Sequence, residues 1–303
     1  MSKTHDATQI RLKDLTALKQ QAEAFLLPET GKKSLHGVGN TYSPFKSRGL
    51  DFQEVRIYQP GDDIRQIDWH VTAKYGKPFT KLYTEEKERT IFFVVDLRSN
   101  MQFATHGDFK NVAAARMTAF MAFIAEHQKD KIGYILMTDT GLYSSGDSDK
   151  TTLTPLLNSM ATPPKTKAPE ATWHQMIRFL NQLLPNGSFC FMFSDFYDWT
   201  DEDTVHLAPL SEKNTFLFCA LYDKLESQLP EDILPFSDGK DTLIIPAQYA
   251  KVRNAFHQEW TEQIDRLQSA AHKYAWGFLS IPTNTDYLDE LMHFCFGRGR
   301  HET

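Results

Sequence analysis

The chain has 303 residues, 41% hydrophobic and 24% charged, with a formal net charge of −6. That composition belongs to a folded globular protein, and on size scaling such a chain buries roughly 75% of its unfolded surface. The acidic balance argues against a general nucleic-acid binder, which needs a basic footprint.

The first periodic segment, residues 10–27, reads as a short helix with Leu12, Leu15, Leu18, Ala22, Phe25 and Leu26 on one stripe. Residues 28–50 are rich in Gly, Ser, Lys and Pro and read as an extended, solvated segment. Residues 51–89 carry dense alternating charge among scattered aromatics. A continuous apolar run, Thr90 to Val95, then ends at Asp96, the pattern of a strand buried on both faces of a parallel sheet. A helix is expected over 109–128, with Asp108 as N-cap and apolar residues nearly all round. Strands follow at Ile132–Met137 and, as a hairpin, near 141–153. After a Pro/Lys/Thr-rich loop at 161–170, residues 172–184 suit a helix. Ser188–Phe193 and Thr215–Leu221 read as buried strands, Leu243–Ile245 as a short one, and 247–275 as a long amphipathic helix. Trp276–Ile281 and 284–296 close the chain as a strand and a helix. Strands alternating with helices imply a doubly wound, mostly parallel α/β sheet.

Cys190, Cys219 and Cys295 form no CxxC pair, and two lie in apolar runs, which fits a reduced compartment. The polar start Met1–Leu15 is unlike a signal peptide, and Met1-Ser2-Lys3 lacks the glycine of a myristoylation signal. No run approaches the roughly 18 apolar residues of a membrane span. The expectation is a cytoplasmic protein without direct membrane insertion and without nucleic acid.

Function in such sheets gathers beyond the carboxyl ends of the strands. Two apolar strands here end in acid, at Asp96 and at Ser194-Asp195. The bland reading of each is a turn cap. Phosphotransfer of the haloacid dehalogenase kind would need a second acid where Arg98 stands. There is no GxxxxGK[ST] loop, no GxGxxG after a strand, no GxSxG elbow, and no HExxH or CxxC metal signature.

The run Asp96-Leu97-Arg98-Ser99-Asn100-Met101, with Thr172 before a helix and Ser194-Asp195 after a strand, resembles the metal-ion-dependent adhesion site of von Willebrand factor A-like domains. That site takes Asp-x-Ser-x-Ser, a threonine and a later aspartate around Mg²⁺. Arg98 and Asn100 replace the two serines, so the site is degenerate. Arginine has five donors and no acceptor, and cannot ligate Mg²⁺. One reading has Arg98 replace the ion, bonded to both Asp96 and Asp195. A second turns Arg98 away and leaves a weak Mg²⁺ site of Asp96, Ser99, Thr172 and Asp195. A third has no site at all.

The run Ser47-Arg48-Gly49-Leu50-Asp51-Phe52-x-Glu54-x-Arg56-x-Tyr58-x-x-Gly61-Asp62-Asp63-x-Arg65-x-Ile67-Asp68-Trp69-x-x-Thr72-Ala73 resembles the signature of the bacterial domain of unknown function family 58. The likeness continues through Asp96 to Met101, Phe109 to Ala115, Asp130 to Gly133, Ser194 to Phe196, and Asp223-x-x-Glu226-x-x-Leu229-Pro230, covering roughly 35–296. It implies a MoxR-associated protein with a von Willebrand factor A-like domain. The chain then divides into an N-terminal helix and linker (1–34), the charged signature segment (35–89), the A-like domain (90–296) and a tail (297–303). The charged segment reads as an ion-pair network pinning an arm, with Arg48, Arg56 and Arg65 facing the acids, as a partner-docking surface, or as a catalytic acid cluster, which lacks a nucleophile or matched base; Trp69 and Tyr58 read as packing residues more readily than as interface anchors. The resemblance implies a non-enzymatic adaptor working with a MoxR-type AAA+ ATPase, and with a membrane-anchored A-like protein, to assemble or activate a partner complex. The competing class is a divalent-metal-dependent hydrolase using the strand-end aspartates.

Overall fold

The protein is seen in a computed structural model, in which the described residues are 5–26, 52–59, 67–83, 89–144, 153–164, 168–237 and 242–297. It forms two compact units, one of residues 45–88 and one of residues 1–44 with 89–303.

In the large unit the N-terminal stretch forms two helices, α1 (Leu12–Thr16) and α2 (Leu18–Leu26), where one was expected. Leu15, Leu18 and Ala22 are fully buried, so this stretch belongs to the core of the unit. The small unit holds an antiparallel pair, β1 (Phe52–Ile57) and β2 (Phe79–Tyr83), joined through helix α3 (Trp69–Tyr75). Asp68 caps α3 by accepting from the backbone N–H of His70 and Val71, and Gly76 ends it at φ +67°, a conformation glycine adopts without strain.

The large unit is built on β3 (Thr90–Asp96), helix α4 (Lys110–His127), β4 (Lys131–Thr138), β5 (Gly141–Ser144), helices α5 (Leu153–Ala161) and α6 (Trp173–Leu183), and β6 (Phe189–Ser194). There follow helix α7 (Asp201–Leu207), β7 (Thr215–Tyr222), the short helix α8 (Lys224–Ser227), the hairpin β8 (Ile233–Ser237) and β9 (Thr242–Pro246), helix α9 (Ala250–Lys273), β10 (Gly277–Pro282) and helix α10 (Tyr287–Phe296). Six strands make one sheet in the order β10-β7-β6-β3-β4-β5, parallel except for the β5 edge. This is the mostly parallel α/β sheet that the apolar runs imply. β3, buried along its whole length, needs no polar face, which is why its sequence does not alternate.

Several elements depart from expectation. Leu153, expected in a hairpin, opens helix α5, which buries Leu153, Leu156, Leu157 and Met160 at helical spacing. The stretch 243–245 pairs with β8 in a separate hairpin and lies outside the main sheet. Asp108 does not cap α4; Phe109 holds the cap position and makes no side-chain cap bond. The Asp108 carboxylate instead accepts from the Tyr287 hydroxyl at 2.5 Å and contacts the His5 ring at 2.8 Å, tying the N-terminal stretch and α10 to α4.

One face of the sheet buries Phe92, Val94, Cys190, Met192 and Phe218 against Trp173, Met176, Ile177 and Leu180 of α6 and Leu267 and Ala271 of α9. Phe92 pairs with Gly133 across the strands, and its ring lies where a Cβ on Gly133 would fall, 2.5 Å away. α4 is buried nearly all round, and its alanines 113–115, 119, 122 and 125 permit close approach. All three cysteines are free and buried. Among the described residues no helix is long and apolar enough to cross a membrane.

Candidate functional site

The chain steps to one side of β3 to form β4 and to the other to form β6, so the sheet reverses direction between β3 and β6. The crevice beyond the carboxyl ends of these two strands is where such a sheet presents its functional groups. Asp96 closes β3, and Ser194 closes β6.

Just after β3 the chain turns through Ser99–Met101, and the Arg98 side chain folds back over the strand end. Its guanidinium meets Asp96 side-on, Nε donating to Oδ1 at 3.0 Å and Nη2 to Oδ2 at 2.7 Å. Nη1 and Nη2 also donate to Asp198 at 2.6 and 2.9 Å, and Nη1 to the Ala171 carbonyl at 3.2 Å. All five donors of the guanidinium are therefore engaged. The cation stands 5.6 Å from the centre of the Trp173 ring, and the Trp173 Nε1–H donates to Asp198 at 2.8 Å. Asp96 accepts in addition from the backbone N–H of Arg98 at 3.1 Å and the Ser194 hydroxyl at 2.8 Å. Arg98 is 2% exposed, Asp96 is fully buried, and Asp198 is 44% exposed.

The electrostatics follow from burial and pairing. Burial works against the charge on Arg98, but hydrogen bonds and attraction from Asp96 and Asp198 outweigh it and raise its pKa. Burial also works against ionised Asp198, and the bonds and charge of Arg98 reverse that, holding its carboxyl below the ordinary range. For Asp96 desolvation dominates and raises its carboxyl against the pull of Arg98.

The bridge expected from Arg98 to Asp96 and Asp195 is thus corrected: the second carboxylate is Asp198. Asp195 already has its own cation. Lys110 Nζ donates to Asp195 at 2.7 Å and to Glu226 at 2.6 Å, and Asn100 Nδ2 approaches Asp195 at 3.3 Å. The Lys110 ammonium is buried, which opposes its charge, yet Asp195 and Glu226 more than compensate and raise its pKa. Burial pushes the Glu226 carboxyl up, against the pull of Lys110. Glu226 also closes a capping box by accepting from the Asp223 N–H at 2.8 Å, and Asp223 accepts from Thr105.

A tight turn makes this double pairing feasible. Phe196 sits at φ +53°, unusual for a residue with a Cβ. Its N–H donates to the Ser194 hydroxyl and its carbonyl accepts from Gln263 Nε2 at 3.0 Å. The turn delivers Asp195 to Lys110 and Asp198 to Arg98.

These residues do not fit Mg²⁺, which needs free oxygens in near-octahedral array. Each Asp96 oxygen already accepts two protein donors. Thr172 turns its hydroxyl to the Gln175 N–H, capping α6. Ser99 is exposed and its backbone N–H donates to Asp139 at 2.8 Å. The alternative set of Asp96, Ser99, Thr172 and Asp195 is therefore not assembled.

Next to Asp195 and Glu226 opens a cavity of about 180 Å³, walled by Tyr197, Tyr222, Phe256 and Trp260. Tyr197 is 72% exposed. Asp198, Lys110 and this cavity were missed from sequence. The signals were a lysine opening a helix that is buried nearly all round and the Asp223-x-x-Glu226 capping pattern.

In the signature segment, Glu54 lies in β1, while Arg56 and Tyr58 are half-buried. Trp69, read as packing more readily than as an interface anchor, is exposed at the first turn of α3. Arg48, Asp51, Gly61, Asp62, Asp63 and Arg65 lie outside the described residues.

Fold and site together define an α/β protein whose switch-point carboxylates are held by its own arginine and lysine. The chain belongs to the family described as Protein of unknown function DUF58, whose profile matches residues 54–266. Uncharacterised proteins of Mycobacterium tuberculosis and Mycobacterium bovis are each 30% identical to it over 125 residues, 41% of this chain and 39% of theirs. The match thus spans about two fifths of those relatives. Among solved structures, the conserved hypothetical protein BatB from Bacteroides thetaiotaomicron aligns over 68% of this chain and 98% of its own, at a TM-score of 0.38 and 11% identity. An uncharacterised membrane-spanning protein from Vibrio fischeri aligns over 68% of this chain and 96% of its own, at a TM-score of 0.22 and 14% identity. Both scores are too low to establish a shared fold.

Proposed function

We propose that this chain is a non-enzymatic, cytoplasmic protein-interaction module with a von Willebrand factor A-like sheet, recognising its partner at the carboxyl edge of β3, β6 and β7. The observation that carries this reading is the saturation of the edge acids: Asp96 and Asp198 by Arg98, Asp195 and Glu226 by Lys110. A general acid or base must be free to exchange a proton with substrate, and these carboxylates are committed to permanent partners. What the edge offers instead is a fixed surface with an exposed tyrosine and an aromatic-walled cavity beside it. Tyrosine and tryptophan in such settings anchor protein interfaces. The partner in this reading is a MoxR-type AAA+ ATPase, with a membrane-anchored A-like protein in the same assembly, as the signature-segment resemblance implies. ATP chemistry would then belong to the ATPase.

The test is co-purification of a MoxR-type AAA+ ATPase from the same organism, in buffer containing a chelator. Capture by the wild type, lost with Tyr197→Ala or Trp260→Ala, supports the reading. Capture that is unchanged in both variants, or that requires added Mg²⁺, contradicts it.

A further inference from the structure

Away from the acid edge, the first turn of α6 and one face of α7 bring together two histidines and a glutamate. His174 is the second residue of α6, and Glu202 and His206 stand one turn apart on α7. All three side chains are exposed, and their ligand atoms lie within 4.8 Å of one another. We infer that His174, Glu202 and His206 form a binding site for a borderline divalent transition ion, Zn²⁺ first.

Geometry carries the inference. Two ligands on one tetrahedral Zn²⁺, with bonds of about 2.1 Å, stand about 3.4 Å apart. His206 Nε2 and Glu202 Oε1 are 3.4 Å apart. The His174 and His206 rings meet edge to face, 5.0 Å between centroids, so a small side-chain rotation closes the third arm. Imidazole and carboxylate donors suit Zn²⁺ and its neighbours better than Mg²⁺.

The two helices are also fixed against each other without the ion. Trp173, beside His174, stacks on Phe196 at 5.2 Å and meets the edge of Trp199 at 5.1 Å. Trp199 Nε1 donates to Thr204 of α7 at 2.8 Å. Thr200 and Asp203 close a capping box at the start of α7. The ligands thus stand on a preorganised base, and binding orders little besides three side chains. Three protein ligands leave a fourth position for water or for a donor from another molecule. An open hollow lined by His174, Asp198, Thr200 and Glu202 lies alongside.

The experiment uses the full chain without a histidine tag. Zn²⁺ is titrated calorimetrically, and Co²⁺ is added separately to read its visible absorption. One equivalent of Zn²⁺ is expected, with tetrahedral-type Co²⁺ bands and a rise in melting temperature. His174→Asn, His206→Asn and Glu202→Gln each should weaken binding by more than about tenfold, the loss that removing even an outer-shell partner produces. All three positions are exposed, so the metal-free melting temperature should stay at the wild-type value. Absence of Zn²⁺ uptake by the wild type overturns the assignment. So does uptake that persists at full affinity in the His174→Asn/His206→Asn double variant.

Discussion

Replacing Arg98 with methionine gives the sharpest energetic consequence. The change keeps much of the side-chain volume and removes the charge. Asp96 is fully buried and would lose its cation and two of its four hydrogen-bond donors at once, keeping the backbone N–H of residue 98 and the Ser194 hydroxyl. Breaking one partner from a buried pair costs about 3–5 kcal/mol. Asp198, being 44% exposed, can be rehydrated and adds little to that figure. At about 2–4 °C per kcal/mol for a domain of this size, the melting temperature should fall by roughly 6–20 °C. The double variant Arg98→Met/Asp96→Asn should recover most of the loss, because no buried charge is then left unpaired. Asp198→Asn alone should cost clearly less than Arg98→Met. Guanidinium unfolding followed by tryptophan fluorescence measures all four proteins. A loss below about 1 kcal/mol for Arg98→Met, or a double variant no better than the single, would refute the claim that Arg98 is there to neutralise Asp96.

The Lys110 pair makes a prediction with a definite sign. Its folded pKa lies above the ordinary 10.5, so its contribution to stability is complete below pH 10.5 and is lost as pH rises through the folded value. Urea midpoints should therefore fall more steeply with alkali in the wild type than in Lys110→Met, and equal slopes would count against the pair. Gly133→Ala would place its Cβ 2.5 Å from the Phe92 ring, and should cost about 1–3 kcal/mol as an overpacked core. A melting temperature unchanged by that substitution would show that the strands spread freely there.

Much of the sheet was legible because strands buried on both faces leave unbroken apolar runs, as at 90–96 and 189–194. Helix α5 was not, because the hairpin expected near 141–153 runs into its first residue and its nine residues carry little more than two turns of periodicity. α7 is seven residues long and mostly polar, with only its capping box to announce it. β8 contains Pro235, which demotes a strand by sequence although an isolated hairpin tolerates it. At the site, Arg98 in place of a ligating serine could be read directly. Its choice of Asp198 over Asp195 could not, because that depends on the left-handed turn at Phe196. Lys110 was read as part of an apolar helix, and its partners lie 85 and 116 residues away in sequence.

Diffraction from crystals soaked in Mn²⁺, collected at a wavelength where the metal scatters anomalously, addresses the edge most directly. The guanidinium should remain between Asp96 and Asp198 with no metal peak on either Asp96 oxygen. A peak bonded to Asp96, with Arg98 displaced from the Trp173 ring, would contradict the account.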